Sequence, residues 1–569
     1  MLKRLFAAFF AAAICAAFVC GCTDGGKSGE VYPTDIYNEA EMSGTIIKTT
    51  FAGDVIPTAE NLGITLDEYL HGNDKGGFSY EGNGARKEKS VIISPHYKLV
   101  VNGEDVPVYA TIVHDGTTQS NVLTSFAMIE VKEKSGFSLK AELLPQSFGI
   151  KNAIVLPEAK KVAAEVSSSG SVCTVINEFG NFNFLVSQSR DADYSTDFAR
   201  QHSFTLFVKE YVDEDAEIAA YIDEFGAENV TVFEPGFHEF SYINIDSDNQ
   251  VLYFRRGCYM FSKGRDDYGE DNNYFEKHRG GDITWNLTRF PAINANGRNN
   301  IVIAGNGWID GGGLGWHERR GILLSYCDGA VVKDITLINF PEWTLITYVS
   351  ENIDIARCVI YGYKTNSDGF AICNSVNATV RNCFARSGDD LFEIKTLGGP
   401  DDAVADNVTF TDCTAWASKA RCFGIIAETD RPISNITFRD CYVVYRDSTW
   451  DNDFLGSLMV YCESSKHAAT IDNILFENIE IYRDLGRAIN VKMEDGKAAP
   501  SHVTNVTFRN VRYTAALNSL LYSPDGDYIQ EVTLENVTAN GTLMTEETNL
   551  ALFWAMKGEG NIKVNEAAE

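Results

Sequence analysis

The sequence predicts an all-β protein: an N-terminal antiparallel β-sandwich followed by a right-handed parallel β-helix. Three observations carry this. From about Ile301 onward one short pattern recurs: two apolar residues at alternate positions, then Asn or Asp, then Cys, Ile or Val. Between Tyr32 and Val208 that ladder is absent, and strands with two-residue alternation alternate with hairpin signals. Helical spacing is prominent in one place, at Ile218, Tyr221, Ile222 and Phe225.

The chain opens with Lys3 and Arg4, an apolar run from Leu5 to Val19, and Val19-Cys20-Gly21-Cys22. The run is too short and wrongly flanked for a stable transmembrane helix and reads as an export signal. A Cys after a small residue resembles a bacterial lipoprotein cleavage box. Residues 1–22 are then the signal, Cys22 the lipid-attachment site and 23–31 a flexible tether. The alternative is an ordinary secretory signal cut nearby. Either way the protein is exported, as a cell-surface or membrane-anchored bacterial lipoprotein or as a secreted protein. Only an N-terminal lipid connects it to a membrane.

Residues 32–210 form the expected sandwich. Lys98-Leu99-Val100-Val101 runs into Asn102-Gly103, and Val106 to Val113 and Phe204 to Val208 alternate similarly. Residues 211–229 are the expected linker and capping helix, which would cover the strand edges at the solenoid's open end. Residues 230–560 are the expected β-helix. The repeat appears as Ile353-Asp354-Ile355-Ala356-Arg357-Cys358, Ala378-Thr379-Val380-Arg381-Asn382-Cys383, Val408-Thr409-Phe410-Thr411-Asp412-Cys413 and Ile436-Thr437-Phe438-Arg439-Asp440-Cys441. Its closing positions run 335, 358, 383, 413, 441, 479, 511 and 537, separated by 23 to 38 residues, which is one coil plus loops. Such strands stack in parallel on the next coil, roughly 4.8 Å away. A β-propeller would show several strands per repeat.

The formal charge, 48 − 79 = −31, argues against nucleic acid, which needs clustered Lys and Arg, and more weakly against a polyanionic substrate. Of 13 cysteines, three lie in the signal, and Cys358, Cys383, Cys413 and Cys441 share one register of the repeat. A buried column of thiols is expected there, with neither disulfides nor a zinc site. Asn407-Val408-Thr409, Asn435-Ile436-Thr437 and Asn505-Val506-Thr507 mimic glycosylation acceptors but fall in the repeat register, so they read as a turn Asn before a strand Thr.

The candidate chemistry lies in Thr365-Asn366-Ser367-Asp368-Gly369-Phe370 and Ser387-Gly388-Asp389-Asp390-Leu391. Asp368 precedes Asp389 by 21 residues, about one coil, so three carboxylates share neighbouring rungs. Close carboxylates repel, and at least one should hold its proton near neutral pH, the condition for a general acid facing a general base. A lone Asn-Ser-Asp-Gly is an ordinary turn. Two adjacent Asp gain nothing from a turn.

Here the chain resembles the polygalacturonases, glycoside hydrolase family 28. The resemblance rests on Asn366-Ser367-Asp368-Gly369, Gly388-Asp389-Asp390 and the upstream Gly305-Asn306-Gly307-Trp308-Ile309-Asp310-Gly311. It implies hydrolysis of an O-glycosidic bond by inversion, with Asp389 as general acid and Asp368 with Asp390 activating water, the acid and base roughly 6.5–9.5 Å apart. Two family motifs are missing. Arg421-Cys422-Phe423-Gly424-Ile425 stands where a His-Gly motif is expected, and Gly456-Ser457-Leu458-Met459-Val460-Tyr461 lacks the Arg-x-Lys that grips a substrate carboxylate. A sandwich, a β-helix and three Asp also resemble glycoside hydrolase family 49, the dextranase group, which acts on neutral glucans. The expected substrate is therefore an extracellular polysaccharide, neutral or non-pectate, cleaved by a monomer without cofactor or metal.

Asn366, Lys395, Glu428 and Trp343 complete the candidate site as substrate-binding residues. Glu428 lies about one further coil on and reads equally as a solvated turn carboxylate. Lys395 binds substrate or pairs with Glu393. Trp343 stacks on a sugar or packs. Two other functions fit the same fold: a lyase or epimerase, which needs a Lys or Arg base and usually calcium, and a non-catalytic glycan-binding solenoid.

Overall fold

The computed structural model describes residues 43–565 except 54, 72–88, 264–290, 316–317, 464–468, 495–500, 525–527 and 559. The expected signal, Cys22 and the tether lie outside the described residues. No helix among the described residues is long and apolar enough to cross a membrane.

Two sheets form the N-terminal region. One has seven strands, built around Tyr109–Asp115, Ser120–Val131 and Phe204–Glu210; the other has five, around Tyr97–Val101 and Leu139–Pro145. Val101 pairs with Glu104 across Asn102 and Gly103, both at positive φ (49° and 80°), the geometry that a two-residue hairpin turn requires. The sandwich is not wholly antiparallel, because Phe204–Glu210 runs parallel to Ser120–Val131. A long crossover separates those strands, and parallel pairing needs one.

The helix is Glu214–Phe225, with the Asp213 side chain accepting from Ala216 N–H. It lies along the flank of the first coils rather than across the open end. Ile218, Tyr221 and Phe225 pack on Val251, Tyr253, Val302 and Ala304, whose alternates Leu252, Phe254, Ile301 and Ile303 face the solenoid interior. Outward apolar residues on these rungs provide the surface that the helix stripe covers.

From Val230–Phe233 to Gly560–Asn565 the chain winds as a parallel β-helix. A typical coil carries three strands, such as Phe370–Cys373, Val376–Arg381 and Phe384–Ser387. The interior is one continuous apolar core with like residues stacked. Phe410, Phe438, Phe476 and Phe508 form a column with ring centroids 4.9–5.0 Å apart. Cys358, Cys383, Cys413 and Cys441 form a second buried column of free thiols. At the corner, Asn377, Asn407, Asn435, Asn473, Asn505 and their counterparts sit at φ near +55°, which Asn tolerates. Asn407 donates to Asn377 at 2.8 Å and Asn473 to Asn435 at 2.7 Å, so the Asn-x-Thr triplets are a hydrogen-bonded corner ladder. Phe438→Ala should empty the middle of the aromatic column and cost about 3–5 kcal/mol, read as a lower urea midpoint for unfolding.

The sandwich packs on the solenoid side formed by Thr336–Ile338, Val359–Tyr361 and Phe384–Ser387. Phe126 stacks on Tyr361 at 5.0 Å, and Phe207 meets Phe384 edge-on at 5.2 Å. Arg386 is buried between the two parts, 3.6 Å above the Trp416 ring, and donates to Thr124 and Ser203. Each of these solenoid strands leads directly into a loop of the candidate site.

Candidate active site

Five consecutive loops, 339–344, 362–369, 388–391, 418–422 and 447–457, emerge at one corner of the solenoid before strands of the 11-stranded sheet. Backbone bonds tie them together. Thr344 N–H donates to Asp368 O (3.0 Å), Gly369 N–H to Asp390 O (2.7 Å) and Leu391 N–H to Arg421 O (3.1 Å). Asp368 is thus aligned with Asp390. Ser367 Oγ donates to Lys364 O and accepts from Gly388 N–H at 2.9 Å. A Cβ on Gly388 would stand 2.3 Å from Lys364 O, so this close approach explains the glycine before the Asp pair.

Asp389 is half-buried. Its carboxylate accepts from Asn366 N–H at 3.2 Å and from Asp390 N–H at 3.1 Å. Asn366 reaches that position at φ 63°, a left-handed conformation suited to Asn. Burial and the neighbouring Asp390 charge push the Asp389 pKa up to about 6, against the pull of Arg421 and Lys395. Asp390 is 2% exposed and is gripped by Arg421, whose backbone N–H donates at 3.1 Å and whose Nη1 lies 3.2–3.3 Å from both carboxylate oxygens. Burial opposes the Arg421 charge, but Asp390 and Asp389 outweigh it and raise its pKa. Asp368 is buried, and burial, with Glu393 and Asp389 nearby, holds its pKa well above the usual carboxylate range.

Beneath the loops lies a second charged group. Strand Phe392–Thr396 points Phe392 and Ile394 inward, which leaves Glu393 and Lys395 on the outer face beside Ala371 and Cys373 of the preceding coil. Lys395 Nζ lies 3.1 Å from Glu393, 3.1 Å from Glu428, 3.7 Å from Asp368 and 3.9 Å from Asp390. Register shifts between Ile394 and Thr396, and Ala427 turns to φ 55°; this bulge swings Glu428 over Lys395. Burial disfavours the Lys395 charge, but the four carboxylates raise its pKa well above its ordinary value. Glu393, fully buried, is pushed up by burial to about 8 despite Lys395. For Glu428 the Lys395 ammonium overcomes burial and lowers the pKa.

Carboxylate oxygens of Asp368, Asp390 and Glu393 come within 4.8 Å of one another, and the cation among them is Lys395. Lys395→Met should therefore take the counter-ion from this group and cost about 3–5 kcal/mol above about pH 8, where Glu393 is ionised, measured by urea unfolding. The double variant Lys395→Met/Glu393→Gln should regain part of that loss.

Trp343 is 7% exposed and packs with Leu323, Ile346 and Tyr348, while Arg320 and Lys395 sit over its ring at 5.5 and 4.6 Å. Lys395 is equally enclosed. The structure thus brings Asn366, Asp368, Asp389, Asp390, Lys395 and Glu428 into one cluster and places Trp343 beneath it. Sequence reasoning treated Arg421 only as the absence of a His, and did not single out Glu393 as a buried member or Lys419. Lys419 Nζ donates to Thr365 Oγ1 at 3.0 Å; burial lowers its pKa, against the pull of Asp389. The spacing of Lys419 and Arg421 behind the Asp pair, about one coil, was the available signal.

The sequence model for "Glycosyl hydrolases family 28" matches residues 269–552. A "Probable polygalacturonase" from Vitis vinifera is 32% identical over 109 residues, covering 17% of this chain and 22% of that protein. The chain thus spans about a fifth of the length of that curated relative. Among solved structures, Dex49A from Penicillium minioluteum superposes with a TM-score of 0.55 at 13% identity, covering 86% of this chain and 97% of that one. A hyperthermoactive exopolygalacturonase from Thermotoga maritima gives 0.43 at 16% identity, covering 58% and 88%. The Dex49A likeness extends across sandwich and solenoid and establishes the shared fold.

Proposed function

Because the chain belongs to the polygalacturonase-like glycoside hydrolase family 28 superfamily, we propose that it hydrolyses an O-glycosidic bond of an extracellular polysaccharide with inversion, using Asp389, Asp368 and Asp390. The observation that carries this reading is the contrast between adjacent carboxyls. Asp389 is half-buried with a pKa near 6, while Asp390 is locked onto Arg421 by three donor contacts. A group that holds a proton in mildly acidic solution next to one bound to a permanent cation is an acid beside a base.

In this mechanism Asp389 gives its proton to the departing glycosidic oxygen. Asp390, with Asp368 aligned beside it, accepts a proton from the water that attacks the anomeric carbon from the opposite face. The water oxygen becomes the new hydroxyl, the bond to the leaving oxygen breaks, and the configuration at that anomeric carbon inverts. Arg421 and Lys395 place positive charge against Asp390.

The substrate proposed is a neutral or non-pectate glycan. Five carboxyls (Asp368, Asp389, Asp390, Glu393, Glu428) meet three cations (Lys395, Arg421, Lys419), and both Lys395 and Arg421 are engaged by carboxylates of the chain itself. A uronate would find Lys395 and Arg421 already paired and only Lys419, whose charge burial disfavours, beside it, so its own charge would be poorly compensated. The export signal fits a substrate outside the cell. Lipid attachment at Cys22 is part of the same proposal.

One observation favours a second reading, a lyase. Lys419 has a lowered pKa and lies near Asp389, as a base abstracting a proton from a uronate would. Lys395, held protonated by four carboxylates, is a poor base. Reducing-end release should be screened on dextran, pullulan, arabinan, rhamnogalacturonan and polygalacturonate, with ultraviolet absorbance of the products followed in parallel. Release from a neutral glycan, absent in Asp389→Asn, supports the hydrolase. Release from polygalacturonate alone overturns the substrate proposal, and an unsaturated product overturns hydrolysis.

A further inference from the structure

Among the described tryptophans, Trp308, Trp416 and Trp554 are at most 2% exposed and Trp343 is 7%, but Trp450 is 62% exposed. Such a residue on a loop is ordinarily mobile. Trp450 is held: its indole Nε1–H donates to Lys419 O at 2.7 Å. Lys419 in turn donates to Thr365 Oγ1 at 3.0 Å, and the next residue, Asn366, gives its backbone N–H to Asp389. Trp450 is therefore connected to Asp389, the proposed acid, through three hydrogen bonds and the Thr365–Asn366 peptide link.

Its loop is fixed on both sides. Ser448 O accepts from Arg446 Nη1 at 2.6 Å, the buried Asp447 lies 3.9 Å from Arg200 of the sandwich, and Phe454 O accepts from Arg421 Nε at 2.7 Å. Asp451 Oδ1 caps Asp453 N–H at 3.0 Å. Arg421 thus grips the Asp390 carboxylate with one part of its guanidinium and the Trp450 loop with another. A large apolar face is kept in solvent, oriented by its polar edge and tethered to Asp389 and Asp390.

We propose that Trp450 is a stacking platform for a pyranose ring of the substrate next to the scissile bond. The axial C–H groups of a pyranose make one of its faces apolar, and an indole offers a flat, polarisable partner whose N–H edge needs a fixed acceptor. With the side chain ordered before binding, little entropy is lost on contact. The proposal rests on the hydrolase reading for its substrate and goes beyond it by assigning a binding residue outside the carboxylate cluster.

The test compares the wild type with Trp450→Ala and Trp450→Phe on whichever glycan of the panel is cleaved. Trp450→Ala should raise KM roughly three- to tenfold and leave kcat within about twofold, since its exposed ring adds little to the fold. Trp450→Phe keeps a stacking face and loses the bond to Lys419 O, so its KM should fall between the two. Unchanged KM in Trp450→Ala overturns the platform. A fall in kcat alone, or in thermal stability, would instead make Trp450 a support for the 447–457 loop and also overturn it. If no glycan is cleaved, affinity electrophoresis in the same polysaccharides separates the two readings. Retardation of the wild type that is lost in Trp450→Ala supports the platform while the hydrolase reading fails. Equal retardation, or none for either protein, overturns the platform as well.

Discussion

Asp389→Asn is expected to lower kcat by about 10²–10⁴-fold while leaving thermal stability and substrate binding close to wild type. The amide keeps the size of the carboxyl and can still accept from Asn366 N–H, but it has no proton to give. The pH profile provides the sharper readout. An acid must be protonated to act, and Asp389 carries its proton below about pH 6 and loses it above. Wild-type activity should therefore fall as pH rises through about 6, with the optimum on the acidic side. In Asp389→Asn the residual activity should lack that descending limb. A descending limb that survives the substitution would assign the proton to another group, and Glu393, pushed up to about 8, would be the first alternative.

Arg421→Ala should be the most damaging single change at the site after the carboxyls themselves. It removes the guanidinium from Asp390, a carboxylate 2% exposed, and leaves Lys395 at 3.9 Å as the remaining nearby cation. Breaking a buried pair from one side costs about 3–5 kcal/mol. It also frees the Phe454 carbonyl and so loosens loop 447–457. The expected outcome is a loss of kcat of at least about tenfold together with a lower urea midpoint. Arg421→Lys should restore only part of either, since an ammonium cannot make the planar contact to both oxygens and to Phe454 O at once. Arg421→Ala with full activity would show that Asp390 needs no fixed counter-ion.

Much of this was readable in the chain because a β-helix writes its geometry into its period. Stacked rungs put like residues above like, so the Phe410 column, the Cys358 column and the Asn407 corner ladder each appear as a repeated letter. The same logic aligned Asp368 with the Asp pair one coil away. Contacts made by irregular backbone were not legible. Coil spacing placed Glu428 at the site, but its contact with Lys395 depends on a bulge that breaks the register after Ile394, and nothing in Ile425-Ile426-Ala427-Glu428 announces that bulge. Arg421 stood out in sequence only as a missing His; its role depends on a loop folding back to present both backbone and side chain to Asp390. The helix at Glu214–Phe225 was visible from its apolar stripe, but its placement on the flank was not, since the stripe does not say which apolar surface it meets. The parallel pairing of Phe204–Glu210 with Ser120–Val131 was hidden for a related reason: alternation marks a strand without giving its direction.

Asp310 shows how a motif can serve the fold. It lies in the glycine-rich stretch that carried part of the family resemblance, yet its carboxylate accepts from Tyr259 OH at 2.6 Å and from the sandwich residue Ser90 N–H at 2.8 Å. That position fastens the two parts of the protein together, well upstream of the Asp pair in the winding of the solenoid.

The central claim is that bond cleavage is a single displacement by water, with Asp389 as acid and Asp390 as base. Proton NMR of the anomeric signal in the first product, recorded on the cleaved glycan before mutarotation, tests it most directly. The account predicts a product whose new reducing end has the opposite anomeric configuration to the bond cleaved. Retained configuration would mean a covalent glycosyl intermediate and contradict the roles given to the three carboxyls.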